Sequence, residues 1–533
     1  MENKVLQLLR GLPIEKSSKP VHTENGAVSN ATTGNIFLDD FAACGSYRDR
    51  EMKDVFDTMD KLWAANPELT VRMTFFIRMI TRKVKGFHST ELVQRGQGNK
   101  NESYMRFLWL VLKQPKVFYN NLFLIPLVGS WKDLWEILTL AELKEHSLEV
   151  NIDKFFELML AGINESSMKA LVVKYMPQIK AASKCTTPRA KIRNKLAKKF
   201  ATYLKMTFID YRHFKSTNGE GHRWQQFISN KQYAEIDFNK IPGKALSLLV
   251  SGKFLQNHRL EKLYTDWLTK QPAIKYNGFP YELLHAYMKG RNSMLQKRTI
   301  DKQFEYLLNT ARQDNGSITG NVWCALDTSS SMKMTIANNS DVTSFDVCIS
   351  LGVYFSMLNT GTFKDYVVMF DSYSKTKVLQ GAFTERIDAI KKSATAWGGT
   401  NFQSIIDMIV RIRKNHPEIP VEDYPETLLV ISDMQFNSVG TVDSNYTAAM
   451  KKLDTVGLPP IKIIWWRVNA RKLDMPSTVE DYGTYFFSGF DGAIIKFLLG
   501  KDTNVEEVES ASKNMLEVMS AALNQELLNL IVV

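Results

Sequence analysis

The sequence predicts an α + α/β protein: a helical amino-terminal region followed by a doubly wound domain on a mostly parallel sheet. Three observations predict it. From Ser46 to about Asn309 the apolar residues recur at helical spacing between short Pro, Gly and Asn breaks. Beyond about residue 316 the texture changes to short continuous apolar runs: VWCALD (322–327), DYVVMF (365–370), ETLLVISD (426–433) and IKIIWW (461–466). Runs of that kind are strands buried on both faces, and helix-like stretches alternate with them, as SFDVCISLGVYFSML and FQSIIDMIVRIRKN do. Finally, 533 residues with 44% hydrophobic and 23% charged side chains can fill large cores and do not read as disordered.

In chain order, residues 1–45 are polar and broken (SSKPVHTENGAVSNATTGN) and predict an extended arm that packs only in part. Residues 46–315 predict the helical region. DVFDTMDKLWAANPELTVRMTFFIRMITR reads as one helix ending near Asn66-Pro67 and then a second. FLWLVLKQPKVFYNNLFLIPLVGSWKDLWEILTL repeats the pattern of helix, Pro break, short apolar segment, glycine and helix. Antiparallel helices with short links point to a HEAT-like solenoid of helical pairs whose repeats are degenerate. A polar linker is expected at ARQDNGSITGN (311–321), the sheet domain over 316–500, and a closing helix over 501–533.

Charge is divided as sharply as texture. The chain carries a net +12, yet residues 316–533 hold 19 Lys/Arg against 25 Asp/Glu, which leaves 49 against 31 for residues 1–315. The whole basic excess therefore lies in the helical region, as expected of a part that binds a polyanion. The densest stretch, Lys174–Lys215, has twelve Lys/Arg and a single acid, Asp210. Leu196, Phe200, Tyr203 and Leu204 fall there at helical spacing with the lysines on other faces. A solvated amphipathic helix and a phosphate-binding face both satisfy that pattern. The candidate RNA contacts are Lys191, Arg193, Lys195, Lys198 and Lys199, with Lys83, Lys85 and Arg95 as weaker ones. RGQGNKNES (95–103) and His88 are candidates for phosphate or nucleotide-edge contact, with a solvent loop and a surface histidine as the plainer readings.

The clearest chemistry lies at the carboxyl ends of the strands. The first run leads into Asp327-Thr328-Ser329-Ser330-Ser331, a D-x-S-x-S arrangement whose carboxylate and two hydroxyls can converge on one cation. Oxygen ligands suit Mg²⁺ or Mn²⁺ and not zinc. Trp397-Gly398-Gly399-Thr400 adds two glycines that permit close backbone approach, then a hydroxyl. The third run ends at Ser432-Asp433, a second carboxylate at the same sheet edge. Such a cage leaves an octahedral position for a water or a partner's carboxylate. Each motif alone could instead be a helix cap or a turn.

This combination resembles the von Willebrand factor A domain with its metal-ion-dependent adhesion site, over roughly residues 318–500. The resemblance implies that Asp327, Ser329 and Ser331 are direct or water-mediated ligands, that Thr400 matches the family threonine, and that Asp433 acts through water. Met434-Gln435 replaces the glycine often found after that aspartate, a departure that affects loop shape more than ligation. A helical region followed by such a domain further resembles the TROVE-domain Ro ribonucleoproteins and a related family of plants, fungi and large viruses. The matching phrases are YRDREMKDVFDTMDKLW, FFIRMITRKVKGFH, NNLFLIPLVGSWKDLWEIL, WQQFISNKQYAEIDFNKIP and SGFDGAIIKFL. Ro proteins close their repeats into a ring that binds small structured RNAs outside and single-stranded RNA ends through the hole, so the resemblance implies an RNA partner.

Other chemistries find little support. The chain has no G-x-x-x-x-G-K-[ST], no H-E-x-x-H and no G-x-S-x-G. Cys44, Cys185, Cys324 and Cys348 are far apart, which argues against a disulfide scaffold or cysteine zinc site. Trp109, Trp131, Trp135, Trp465 and Trp466 read as core. No secretory signal or membrane span is visible, so a cytoplasmic protein is expected, or a virion component if the source is viral. The expected function is a non-enzymatic, Ro-like RNA-binding scaffold whose metal site docks an external acidic protein ligand. Asp49, Glu51 and Asp54 are the conceivable internal donors to that site. The alternative is a structural or protein-interaction component that uses the sheet domain as an adhesion module without RNA.

Overall fold

The apolar runs become strands wherever both of their faces are covered. In the computed structural model, which describes residues 3–13, 20–85, 91–219, 223–290, 293–338, 340–395, 397–481, 483–499 and 515–533, they build one six-stranded sheet. Its strands are β1 (Val322–Asp327), β2 (Tyr366–Phe370), β3 (Ser374–Val378), β4 (Thr427–Ser432), β5 (Lys462–Arg467) and β6 (Thr484–Ser488). The order across the sheet is β6-β5-β4-β1-β2-β3, parallel throughout except for the antiparallel pair β2–β3. The two strands that no long apolar run announces are the outer ones. β3 (SKTKV) is polar with Lys375 exposed, as suits a sheet edge, and β6 is a buried run of only five residues.

Strand order reverses at β1, which lies between β2 and β4. The carboxyl end of β1 is therefore a topological switch point, the crevice where ligands of such sheets bind. The helix Ser344–Leu358 lies close on this strand. It starts at a reciprocal cap between Thr343 and Asp346 and is buried almost all round. Gly352 makes the approach possible, because a Cβ there would sit 2.4 Å from Leu326 Cδ2.

The chain forms two compact units, Met1–Asp49 with Gln232–Ala522, and Arg50–Lys231 with Leu523–Val533. The boundary expected at 315–316 does not separate them, because the helices that precede the sheet pack on it. Phe304 stacks on Phe383 at 4.0 Å, Tyr287 donates to Asp388 Oδ2 at 2.8 Å, and Asp301 Oδ1 accepts the N–H of Thr384 at 2.9 Å. The expected linker also shortens, since the helix Met294–Asn315 runs through its first five residues. The arm expected to pack only in part packs wherever it is described, beginning with the helix Lys4–Arg10, which buries Val5 and Leu9. It forms a two-stranded hairpin, Val21–His22 with Val28–Ser29, and then a mostly buried helix, Ile36–Cys44. That helix lies on β6, with Phe41 against Phe487 at 6.3 Å and Gly45 N–H donating to Ser488 Oγ at 3.0 Å. Of the closing helix, the described part is Met515–Leu523.

The second unit is helical, with a small hairpin, Arg82–Lys85 with Glu91–Gln94. Three pairs of its described helices are joined through single residues. Asn66 ends Met52–Ala65 and caps Pro67–Arg78, its side chain accepting the N–H of Leu69 at 2.9 Å. Gln114 and Glu165 link their neighbouring helices in the same way. The loop Arg95–Asn99 is a structural cap and not a solvent loop: the N–H groups of Gln97, Gly98 and Asn99 donate to the carbonyls of Phe76, Met79 and Ile77. Gly96 permits this, since a Cβ there would lie 2.6 Å from the Phe76 carbonyl oxygen. Among the described residues no helix is long and apolar enough to cross a membrane.

A buried ion pair organises this unit. Arg78 Nη2 lies 2.6 Å from Asp133 Oδ2, both side chains being 1% exposed. Asp133 also accepts Tyr104 Oη–H at 2.6 Å and the N–H of Ser130 at 2.8 Å. Burial, with Asp133 beside it, pushes the Tyr104 phenol up, so it remains a donor. Asp133→Ala leaves Arg78 charged and without its carboxylate, and should destabilise the unit by about 3–5 kcal/mol. Tyr104→Phe, which removes one hydrogen bond, should cost about 1 kcal/mol. Urea unfolding of the full chain checks both values; equal effects of the two changes would show that the ion pair matters no more than a single hydrogen bond.

Candidate functional site

The loop after β1 turns sharply because its own side chains bond it. Asp327, fully buried, accepts the N–H of Ser329 on Oδ1 at 2.9 Å. Its Oδ2 accepts the hydroxyl of Ser432, the last residue of the neighbouring strand β4, at 2.5 Å. Ser329 and Ser331 share a hydrogen bond at 3.0 Å, and the Ser331 hydroxyl lies near enough to Asp433 to oppose the raising of its pKa. Asp433 also accepts the N–H of Gln435 at 3.2 Å. Asp327, Ser329 and Ser331 thus form one hydrogen-bonded group with Ser432, and Asp433 lies beside it at the carboxyl end of β4.

The fifth, Thr400, reaches this edge through the glycine pair. Ser330 N–H donates to the Gly398 carbonyl at 3.1 Å, which ties the two loops together. A Cβ on Gly398 would lie 2.2 Å from Ser372 Oγ, and one on Gly399 2.7 Å from Asn437 Nδ2. Thr400 is then held by Asn437, whose Oδ1 accepts the Thr400 N–H at 2.9 Å while its own N–H donates to the Thr400 carbonyl at 2.8 Å. Met434, which follows Asp433, has φ 69°, the left-handed conformation that glycine adopts without strain. The loop keeps a glycine-type bend with a buried methionine in its place.

Electrostatically the group holds two carboxylates and one nearby cation, the buried Arg467. Burial first, and then the charge of Asp433, raise Asp327 to about 7. Burial likewise raises Asp433, with the hydrogen bonds of Gln435 and Ser331 and the charge of Arg467 opposing. Two buried carboxylates with hydroxyls beside them make an oxygen-only donor set, the chemistry of a hard divalent cation. No group of three or more His, Cys, Asp or Glu able to hold a metal occurs among the described residues, so any cation here would rely on hydroxyls as much as on carboxylates. None of the four cysteines is in a disulfide and all are buried; burial pushes the Cys324 thiol up to about 12 and raises Cys348 as well, so these two stay protonated thiols.

The site is partly roofed, with Ser331 half-buried. Thr400, Asp327 and Asp433 are all buried, and the turn Thr23–Gly26 of the amino-terminal hairpin lies over the two loops. Thr23 Oγ1 donates to the Phe436 carbonyl at 2.6 Å, and Asn25 Nδ2 to the Gln435 carbonyl at 2.6 Å and to Thr400 Oγ1 at 3.3 Å. Of the acids named as internal donors, Asp49 accepts the N–H of Asn338 instead, and Glu51 and Asp54 belong to the other unit. Sequence reasoning missed Ser432, Gln435, Asn437, Glu24 and Asn25. Ser432 was within reach, next to Asp433 at a strand end; the Glu24-Asn25-Gly26 turn carries no local sign of a partner more than 370 residues away.

The basic candidates lie in the other unit. The helix Pro188–Tyr203 is capped by Thr187 and buries Leu196, Ala197, Phe200 and Ala201, with Phe200 against Trp135 at 5.3 Å. Tyr203 and Leu204 are half-buried. Arg193, with Arg189, turns to the buried carboxylate of Glu136 and is structural. Lys195 and Lys199 pair with Glu142 at 2.9 and 3.8 Å. Lys198 lies 5.6 Å from the Phe208 ring, and Lys191 is exposed. Lys191, Asn194, Lys195, Lys198, Lys199 and Thr202 line an open depression of about 400 Å³. Lys83 is exposed on the small hairpin, and Arg95 is held in its loop by its own N–H to Gln525 and by its guanidinium to Val93. The structure does not bring these two into the depression. The Lys85 side chain and His88 lie outside the described residues.

Two family models match the chain, each a domain of unknown function: DUF2828 over residues 23–191 and DUF7788 over residues 322–528. The chain is also similar to "Uncharacterized protein L728" of Acanthamoeba polyphaga mimivirus, 21% identical over 553 residues, covering 95% of this chain and 88% of that protein.

The raised pKa of Asp327 makes stability depend on pH with a definite sign. The folded chain keeps a proton there that the unfolded chain, with an aspartate near 3.8, has released. Stability of the metal-free protein should therefore fall as pH rises from about 4 through 7. Asp327→Asn removes the titrating group and should flatten that part of the profile. Thermal melts in EDTA at pH 5 and pH 8 test it: the parent should lose more stability between them than the variant, and equal losses would refute the assignment.

Proposed function

We propose that this chain is a Ro-like RNA-binding scaffold in which Lys191, Lys195, Lys198 and Lys199 contact RNA phosphates and an A-type domain holds Mg²⁺ or Mn²⁺. The observation that carries the RNA part is the lysine-lined depression on the most basic helix of the chain. Surface lysines around an open cavity recognise phosphate charge and not base identity, so no sequence preference is assigned. The strand order with its antiparallel edge, and the convergence of Asp327, Ser329, Ser331 and Asp433 at the switch point, support the von Willebrand factor A reading. The one-residue helix links support the HEAT-like, TROVE-type reading of the helical part. The cation would be held by those four residues and Thr400. Bound there, it would supply positive charge that neutralises the two buried carboxylates and accepts a further carboxylate, making the site a docking point without catalysis.

A second reading, a structural or protein-interaction component of a virus particle that needs no RNA, is favoured by two observations. Much of the basic helix's charge is spent on Glu136 and Glu142, and the relative named above is a mimivirus protein.

The two readings separate by salt. RNA binding through phosphates should weaken steeply between 50 and 200 mM salt, because each contact releases counterions. Reversing Lys191, Lys198 and Lys199 to Glu should weaken binding to all RNAs alike and flatten the salt slope by about two to three units. Fluorescence anisotropy with structured and single-stranded RNAs measures both quantities. Unchanged affinity of the variant at both salt concentrations would leave the face a solvated one and favour the particle reading.

A further inference from the structure

The residues over the metal site belong to this chain, and one of them is acidic. The hairpin turn is rigid: Gly26 N–H donates to the Thr23 carbonyl at 3.1 Å with Gly26 at φ 80°, and Ala27 N–H donates to Thr23 Oγ1 at 2.9 Å. Gln435 fastens the turn to the site. Its Oε1 accepts the N–H of Glu24 at 2.9 Å, its carbonyl accepts Asn25 Nδ2 at 2.6 Å, and its own N–H donates to Asp433 at 3.2 Å. Asp474 orients the Gln435 amide, accepting its Nε2 at 3.1 Å on one oxygen and Ser29 Oγ from the same hairpin at 3.1 Å on the other. Ser438 N–H to the Asn25 carbonyl at 3.2 Å and the mutual Asn30–Met475 backbone bonds complete the seam. One hydrogen-bonded residue thus separates Glu24 from Asp433, and Asn25 touches Thr400.

We propose that the hairpin is a built-in lid of the metal site and that the carboxylate of Glu24 fills the cation's outward coordination position. This rests on the reading of the site as a divalent-metal centre. Glu24 is poorly committed elsewhere: its side chain is half-exposed and its pairing with Lys472 is loose, at 3.6 Å. Asn25 keeps its amide nitrogen toward Thr400, because the 2.6 Å bond to the Gln435 carbonyl fixes which end faces inward, and so leaves Thr400 Oγ1 a lone pair for the metal. The lid replaces the external acidic ligand expected from the sequence. Any outside carboxylate would have to displace Glu24.

Calorimetric Mg²⁺ titration of the full chain, the Glu24→Gln variant and the Asp327→Ala variant tests this, together with hydrogen exchange of residues 21–30 with and without Mg²⁺. Glu24→Gln should weaken Mg²⁺ by about tenfold, one carboxylate contact's worth, and should abolish the Mg²⁺-dependent slowing of exchange in the hairpin. Asp327→Ala should abolish binding. If Glu24→Gln binds Mg²⁺ as tightly as the parent while Asp327→Ala does not bind, the lid is not a ligand and the outward position is open, although the metal centre stands. If the parent takes up no Mg²⁺, or Asp327→Ala binds like the parent, the metal centre itself is refuted and the lid with it.

Discussion

The carboxylate of Asp327 is buried at the end of the central strand, and much around it answers that one electrostatic demand. An anion out of water must be hydrogen-bonded, protonated or neutralised. Here it takes the Ser432 hydroxyl and the Ser329 amide, while burial, with a second carboxylate beside it, still pushes its pKa up. The bonding requirement bends the loop after β1. The glycine pair at 398–399 then follows from how closely the neighbouring loops must come.

The same demand explains why the site is layered. Gln435 links Asp433 below to Glu24 and Asn25 above, and Asp474 holds that glutamine in place. Each hydrogen bond contributes modestly, about 1 kcal/mol. Several bonds sharing one side chain specify a geometry better than the same number scattered, because moving one partner strands the others.

The helical unit manages charge by a different division. Its interior holds the Arg78–Asp133 pair with Tyr104, and its basic helix turns Arg189 and Arg193 inward to Glu136. Guanidinium groups suit such partly buried, directional contacts, whereas lysine ammoniums remain hydrated point charges. The result leaves Lys191, Lys195, Lys198 and Lys199 around the surface depression.

The sequence alone determined the four inner strands within a residue at their ends, the helix Ser344–Leu358, the break at Asn66-Pro67, and the placement of Asp327, Ser329, Ser331 and Asp433 at one sheet edge. All are local: apolar periodicity fixes an element, and a residue just past a parallel strand must lie at its carboxyl edge. Tertiary structure decided the rest. The polar edge strand Ser374–Val378 exists because β2 offers it a partner, and the helices after residue 232 belong with the sheet because Phe304 and Tyr287 find Phe383 and Asp388 there. The arm expected to pack only in part instead lays its turn at residues 23–26 over the site. Thr23, Glu24 and Asn25 have no periodicity to announce them, since their partners are backbone carbonyls and a glutamine some 410 residues away, set in place only when the sheet has folded.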